Sequence, residues 1–245
     1  FRDIAQGDLG TSTFGKHKVL DLIQQRMVPT ISLAIMAEVL AVGMAIPLGV
    51  LAGWKARTLT DRSIMIVAVL GYSIPVFWLG LMLIYLFAVN LNWVPAAGYT
   101  PPSEGFGDYL MHLLLPAITT AVVAMALIAR MTRATMIETL NEDYVRTAKA
   151  KGLPEKIVLI RHALRNAALP IVTVIGLGVA ALLSGLVVTE AVFAIPGLGR
   201  LLVDSITSRN YPVIQGTTLV ISVVYVFVNL LVDLSYAVLD PRIRY

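Results

Sequence analysis

An all-α, polytopic transmembrane bundle is the fold class this chain predicts, and three observations predict it. The first is composition: 58% of the 245 residues are hydrophobic and only 14% charged, against about a quarter charged in soluble domains. With a mean hydropathy of +0.81, the chain cannot hide its apolar surface in one aqueous core. The second is length. Five apolar stretches, at 28–54, 64–91, 110–130, 169–188 and 213–231, are each long enough to cross about 30 Å of hydrocarbon as a helix. The third is pattern. These stretches are rich in Leu, Ala and Gly and do not alternate, whereas barrel strands alternate over about ten residues.

Taken in order, residues 1–27 form an external segment and 28–245 the transmembrane domain. In HKVLDLIQQRM, Val19, Leu20, Ile23 and Met27 recur at helical spacing, which predicts a short helix lying at the outer interface. Glu38 lies halfway along the first span, and Asp233 at the edge of the last is the only other carboxylate in or beside a span. An intramembrane carboxylate is a functional candidate by default. Glu38 either faces a cavity or is hydrogen-bonded between helices; Asp233, near Asp240 and Arg242, is expected in a structural pairing. Pro47, Pro75 and Pro116 fall inside spans, where each removes a backbone donor and bends its helix. Tyr72, Ser73 and Pro75 with Trp78 are read either as pathway lining or as plain helix packing. Trp93 and Tyr99 follow the second span as interfacial aromatics. The external loop 189–212 carries Leu201, Leu202 and Ile206 at helical spacing, so it dips toward the membrane as a gate or meets an external protein. Gly197-Leu198-Gly199 reads as a tight turn.

Lys and Arg set the orientation. Thirteen lie in the loop 55–62, the loop 130–168 and the tail, against six in the first 27 residues and the loops 92–109 and 189–212. Basic residues are retained in the cytoplasm, so the C-terminus is expected inside and Phe1 outside. A start outside calls for an earlier span, six in all. The same topology accounts for the basic pI of about 9.4 without nucleic acid.

The cytoplasmic loop 131–168 is the most informative part. Met136, Leu140, Tyr144, Ala148 and Lys151 predict one helix over 135–151, which Gly152 ends in a left-handed conformation. Pro154 and Glu155 suit the first turn of a second helix, about 154–166, and Pro170 marks the start of the next span. Thr147, Ala148, Ala150 and Gly152 are small and let another surface approach, while Arg146, Lys149 and Lys151 flank them. The element is either a docking knob or a basic loop held on anionic lipid.

Several chemistries are excluded. No cysteine occurs, hence no disulfide or thiolate site. No G-x-x-x-x-G-K-[ST] phosphate loop is present, so no ATPase site is evident. His17, His112 and His162 lie far apart, and no metal-ligand set is apparent. So few intramembrane charges argue against a self-powered secondary carrier or channel, the rival reading.

The loop resembles the EAA loop of inner-membrane permeases of binding-protein-dependent ABC importers. Arg146-Thr147-Ala148 stands at the Glu-Ala-Ala place, Gly152 at the Gly and Leu169-Pro170 at the Leu-Pro. The Arg for Glu and the longer Gly-to-Pro distance match the dipeptide/oligopeptide/nickel branch, as do YVRTAKAKG, RHALRNAALP, GDLGTS, IPLGVLAG, EAVFAIPGLGRLLVDSI and VDLSYAVLDPRIRY. The resemblance implies a type I importer permease in a bacterial or archaeal inner membrane. It implies a homologous second permease, two cytoplasmic ATPases holding ATP and Mg, a periplasmic or lipid-anchored binding protein and surrounding membrane lipid; the chain itself needs no cofactor. It assigns ATPase coupling to Tyr144, Arg146, Thr147, Ala148, Lys149, Gly152 and Leu153. It places Glu190, Phe193, Pro196, Gly197 and Gly199 at the outer mouth. The cargo class is peptides or a related solute such as glutathione, a nickel chelate or an opine, moved by alternating access.

Overall fold

The computed structural model describes residues 9–15 and 17–239, without side chains at 180–185, 233 and 235–239. The start of GDLGTS at Gly7, the pairing of Asp233 with Asp240 and Arg242, and the basic tail lie outside the described residues. The elements are helical, and the one β-type pairing among the described residues is an isolated antiparallel bridge between Thr11 and Lys18.

The first helix, α1 (Val19–Trp54), is continuous over 36 residues, about 54 Å at 1.5 Å per residue. The separate interfacial helix expected at 17–27 is therefore not found. Its apolar stripe is filled from within the protein: Val19 and Ile23 are buried against Leu198, Leu201 and Val213. The helix consequently has no reason to turn onto a lipid surface.

The stretch expected as one span at 64–91 is broken. α2 (Leu59–Ser73) ends at Ile74, and α3 (Val76–Leu83) begins after Pro75 and continues as a π-helical turn, Ile84–Asn90. Pro75 has no N–H to donate and pushes the residue before it out of the α region; Ile74 is extended, at φ −78 and ψ 129. α4 (Phe106–Leu140) absorbs Pro116 without breaking. The helix expected over 135–151 is two: α4 stops at Leu140, and α5 (Asp143–Ala150) starts after an extended Glu142. Asn141 intervenes, with Nδ2 donating to the Ile137 carbonyl at 2.9 Å, a local alternative to continuing the helix.

α6 (Glu155–Ile157) runs through a π-helical stretch, Val158–Leu164, into α7 (Arg165–Val192). Pro170 lies inside α7 and does not mark a start, because no breaker interrupts the residues before it. α8 (Leu198–Thr207) and α9 (Tyr211–Leu239) complete the order. Four stretches, Val19–Trp54, Phe106–Leu140, Glu155–Val179 and Tyr211–Val232, are long and apolar enough to cross a membrane. Leu59–Ser73 with Val76–Asn90 makes a fifth when taken as one span.

The chain divides into two compact units. The first comprises Phe1–Ala37, Pro75–Thr120 and Ala180–Phe227 and contains the loop 189–212. The second comprises Glu38–Ile74, Ala121–Val179 and Val228–Tyr245 and contains the basic loop. In the second unit, α1 and α4 approach closely. A Cβ added at Gly49 would lie 2.8 Å from the Ala129 carbonyl oxygen, and one at Gly53 would lie 2.7 Å from Met136 Cβ. Small residues four apart are the usual means of such backbone contact in membrane helices.

Candidate functional site

The basic loop folds into an elbow. Asp143 occupies the first turn of α5 and Lys149 the last, each complementing the helix dipole. Gly152 ends the element at φ 75. Its N–H donates to the Lys149 carbonyl at 2.9 Å and that of Leu153 to the Ala148 carbonyl at 3.4 Å, the paired bonds of a left-handed helix cap.

The inner face of the elbow is Val145 and Ala148, buried against Val158 with Leu140 packed beside them. Ala148 was expected to offer a small surface to a partner; it is buried, and its size lets α5 approach the turn at Val158. Tyr144, Arg146, Thr147, Lys149, Gly152 and Leu153 are exposed. The Arg146–Asp143 pair, at 3.4 Å, is also exposed and adds little stability.

Two residues that sequence reasoning passed over hold this elbow. Asn166 Nδ2 donates to Tyr144 Oη at 2.8 Å and to the His162 carbonyl at 2.9 Å, and Tyr144 Oη donates to the same carbonyl at 3.5 Å. Trp54 Nε1, at the end of α1, donates to Glu155 Oε1 at 3.3 Å. The RHALRN run contained the first signal; nothing in the spacing marked the second. Asp61 was missed as well. Its side chain is 3% exposed and ion-paired with Arg133, whose Nη2 donates to Asp61 Oδ2 at 2.8 Å.

The loop 189–212 is built of capped helix ends and is not an open flap. α7 ends in its own paired-bond cap: the N–H of Ala194, at φ 52, donates to the Ala191 carbonyl, and that of Ile195 to the Glu190 carbonyl at 2.9 Å. Phe193 and Ile195 are buried. The Gly98 N–H donates to the Phe193 carbonyl at 2.9 Å. The residues after Pro196 form a helix start and not a tight turn, with Gly197 as the cap, in extended backbone.

Glu190 completes this start. Its side chain is fully buried; Thr30 Oγ1 donates to Oε1 at 2.6 Å and the Arg200 N–H to Oε2 at 3.0 Å. Thr30 Oγ1 in turn accepts the Leu198 N–H at 2.8 Å. The free donors at the α8 N-terminus are thus satisfied by one carboxylate and one hydroxyl. Gly197 is needed for this: a Cβ there would fall on the Glu190 carboxylate, and one at Gly199 would lie 2.7 Å from Val187 Cα. Glu190, Phe193, Pro196, Gly197 and Gly199 are brought together, with Thr30 as the member the sequence did not disclose.

The pathway candidates form no such cluster. Glu38 has both carboxylate oxygens buried without a hydrogen-bond partner among the described residues, Tyr72 and Ser73 included. Tyr72, Ser73, Pro75 and Trp78 are exposed. Arg130 lies over the Tyr72 ring at 5.5 Å, and Ser73 Oγ donates to the Val69 carbonyl at 2.8 Å. No group of three or more metal-ligating side chains occurs among the described residues.

Comparison with known proteins adds four findings. Residues 45–245 match the family described as binding-protein-dependent transport system inner membrane components. A probable peptide ABC transporter permease protein, y4tP, of Sinorhizobium fredii is 47% identical over 243 residues, 99% of this chain and 78% of the relative. The dipeptide transport system permease protein DppB of Escherichia coli is 43% identical over 265 aligned residues, with the same two shares. Among solved structures, an inward-facing conformation of the MetNI methionine ABC transporter superposes with a TM-score of 0.74 at 16% identity, covering 89% of this chain and 96% of that one.

Proposed function

Since the chain belongs to the family of binding-protein-dependent transport system inner membrane components, we propose that it imports peptides, driven by separate ATPase subunits docked on the elbow at Tyr144–Leu153. The peptide cargo is supported by the names of the two relatives. The docking is supported by one observation above the rest. The elbow has its own buried centre, Val145, Ala148 and Val158, so it presents Arg146, Thr147, Lys149 and Leu153 as a preformed, exposed knob. An element folded before its partner arrives binds without an ordering cost.

In this reading a homologous second permease completes the pathway, and two ATPases hold ATP and Mg. An external binding protein delivers cargo. The elbow and the C-terminus face the cytoplasm, as the distribution of Lys and Arg favours. Phe193, Pro196 and the capped α8 form a rigid part of the outer mouth, and Glu38 with Tyr72, Ser73 and Trp78 contributes to the pathway. Closure of the ATPases moves the elbow, and rigid helices carry the motion to the cavity.

Uptake of a labelled dipeptide into vesicles tests this. Transport is expected only when both permeases, the ATPases, the binding protein and ATP are present. Uptake by this chain without the ATPases, driven by an ion gradient, contradicts it.

A further inference from the structure

An ion pair in the second unit joins a buried carboxylate, Asp61, to a half-buried guanidinium, Arg133. Asp61 stands in the first turn of α2, and Arg133 lies two turns before the end of α4. The guanidinium engages both carboxylate oxygens, the strongest geometry such a pair adopts. The Arg57 N–H donates to Asp61 Oδ2 at 2.9 Å, so the same carboxylate ties down the turn between α1 and α2, where Arg57 itself takes φ 67. Thr58 Oγ1 closes that turn by donating to the Lys55 carbonyl at 2.6 Å. Directly beside the pair, the backbones of α1 and α4 approach closely: a Cβ on Gly53 would lie 3.2 Å from the Arg133 carbonyl oxygen. α2, α4 and the turn that leads out of α1 therefore meet at one carboxylate.

The elbow hangs from this joint at two points. Arg133 is seven residues before Leu140, about 10 Å along the helix, and Leu140 packs on the elbow's centre. Glu155, at the far side of the elbow, accepts from Trp54 at the end of α1. A displacement of the elbow is thus passed to both α4 and α1, and only a stiff link between these helices and α2 moves all three together. A bidentate arginine–carboxylate pair fixes orientation as well as distance, and Asp61 is held on its far side by the Arg57 N–H, so the link resists shear.

We propose that Asp61 and Arg133 are positioning residues for transport, forming the bracket that makes the ends of α1, α2 and α4 one rigid body driven by the elbow. The proposal rests on the ATP-driven reading given above.

Two measurements on the assembled importer test it. In the first, Asp61→Asn and Arg133→Gln are compared with the unsubstituted protein and with Arg133→Lys. Cargo imported per ATP hydrolysed is scored only on complexes that retain their ATPases. The ratio is expected to fall at least about five-fold, the low end of coupling between sites, with Arg133→Lys keeping part of it. An unchanged ratio in assembled complexes overturns the proposal.

The second requires no change to the pair. The chain has no cysteine, so spin labels introduced at Lys55 and Glu138, both exposed, report one distance across the bracket. That distance is expected to differ by less than about 2 Å, the size of an ordinary helix shift, between nucleotide-free and nucleotide-trapped importer. A larger change overturns the bracket even where the substituted proteins fail to assemble. Uptake that ignores ATP while the ATPases close would instead contradict the import reading, and the distance would still judge the bracket.

Discussion

Glu190 shows at the scale of one residue how a motif becomes a structure. Burying a carboxylate costs less when its oxygens are hydrogen-bonded, and here the donors are the Thr30 hydroxyl and the N-terminus of α8. Thr30→Val removes a donor to Glu190 and the acceptor of the Leu198 N–H. A buried donor left unsatisfied costs about 1–3 kcal/mol, so the purified protein should melt earlier in a thermal unfolding assay, with Thr30→Ser close to the original. Gly197→Ala should destabilise by a similar amount, about 1–3 kcal/mol for overpacking, because the new methyl and the carboxylate claim one place. Ala194→Gly should act oppositely. Ala194 sits at φ 52, and relieving a left-handed non-glycine residue returns about 1 kcal/mol. A melting temperature unmoved by all three would contradict this account of the loop.

The elbow carries the argument at the scale of elements. Its cap requires φ 75 at Gly152, so Gly152→Val should unravel the end of α5, whereas Gly152→Asn, a residue that tolerates this conformation, should preserve it. Co-purification of the ATPases reads the difference: retained with Asn, reduced with Val. Equal retention would mean that the cap does not shape the docking surface. Tyr144→Phe and Asn166→Ala remove the tie to the following helix; as the group is solvent-exposed, the loss should show in uptake more than in melting temperature. This element was partly legible beforehand. Gly152 and Pro154 announced a bend because glycine admits a left-handed backbone and proline fixes φ and removes a donor. The break at Asn141–Glu142 was not legible, because the apolar spacing of Met136, Leu140 and Tyr144 runs through it undisturbed. Pro75 and Pro170 illustrate the same limit: the first breaks its helix and the second does not, and the local sequence does not distinguish them.

Over the whole molecule, composition, stretch length and the lack of alternation together identified the membrane bundle, since only helices and closed barrels span a membrane and barrel strands alternate. The functional family was legible from ordered motifs and is borne out by the family match over residues 45–245. Side-chain contacts between distant segments were not legible: Thr30 with Glu190, Asp61 with Arg133, and Trp54 with Glu155 join residues 160, 72 and 101 positions apart, and no periodicity records such pairings. The central claim remains that force reaches this chain through the elbow from a separate ATPase. Because the chain lacks cysteine, a single cysteine placed at Thr147, exposed on α5, gives an unambiguous cross-linking site. In an actively importing complex it should cross-link to an ATPase subunit, and locking that contact should stop uptake. Uptake at the full rate with the elbow unlinked to any ATPase, or with the lock in place, would contradict the account.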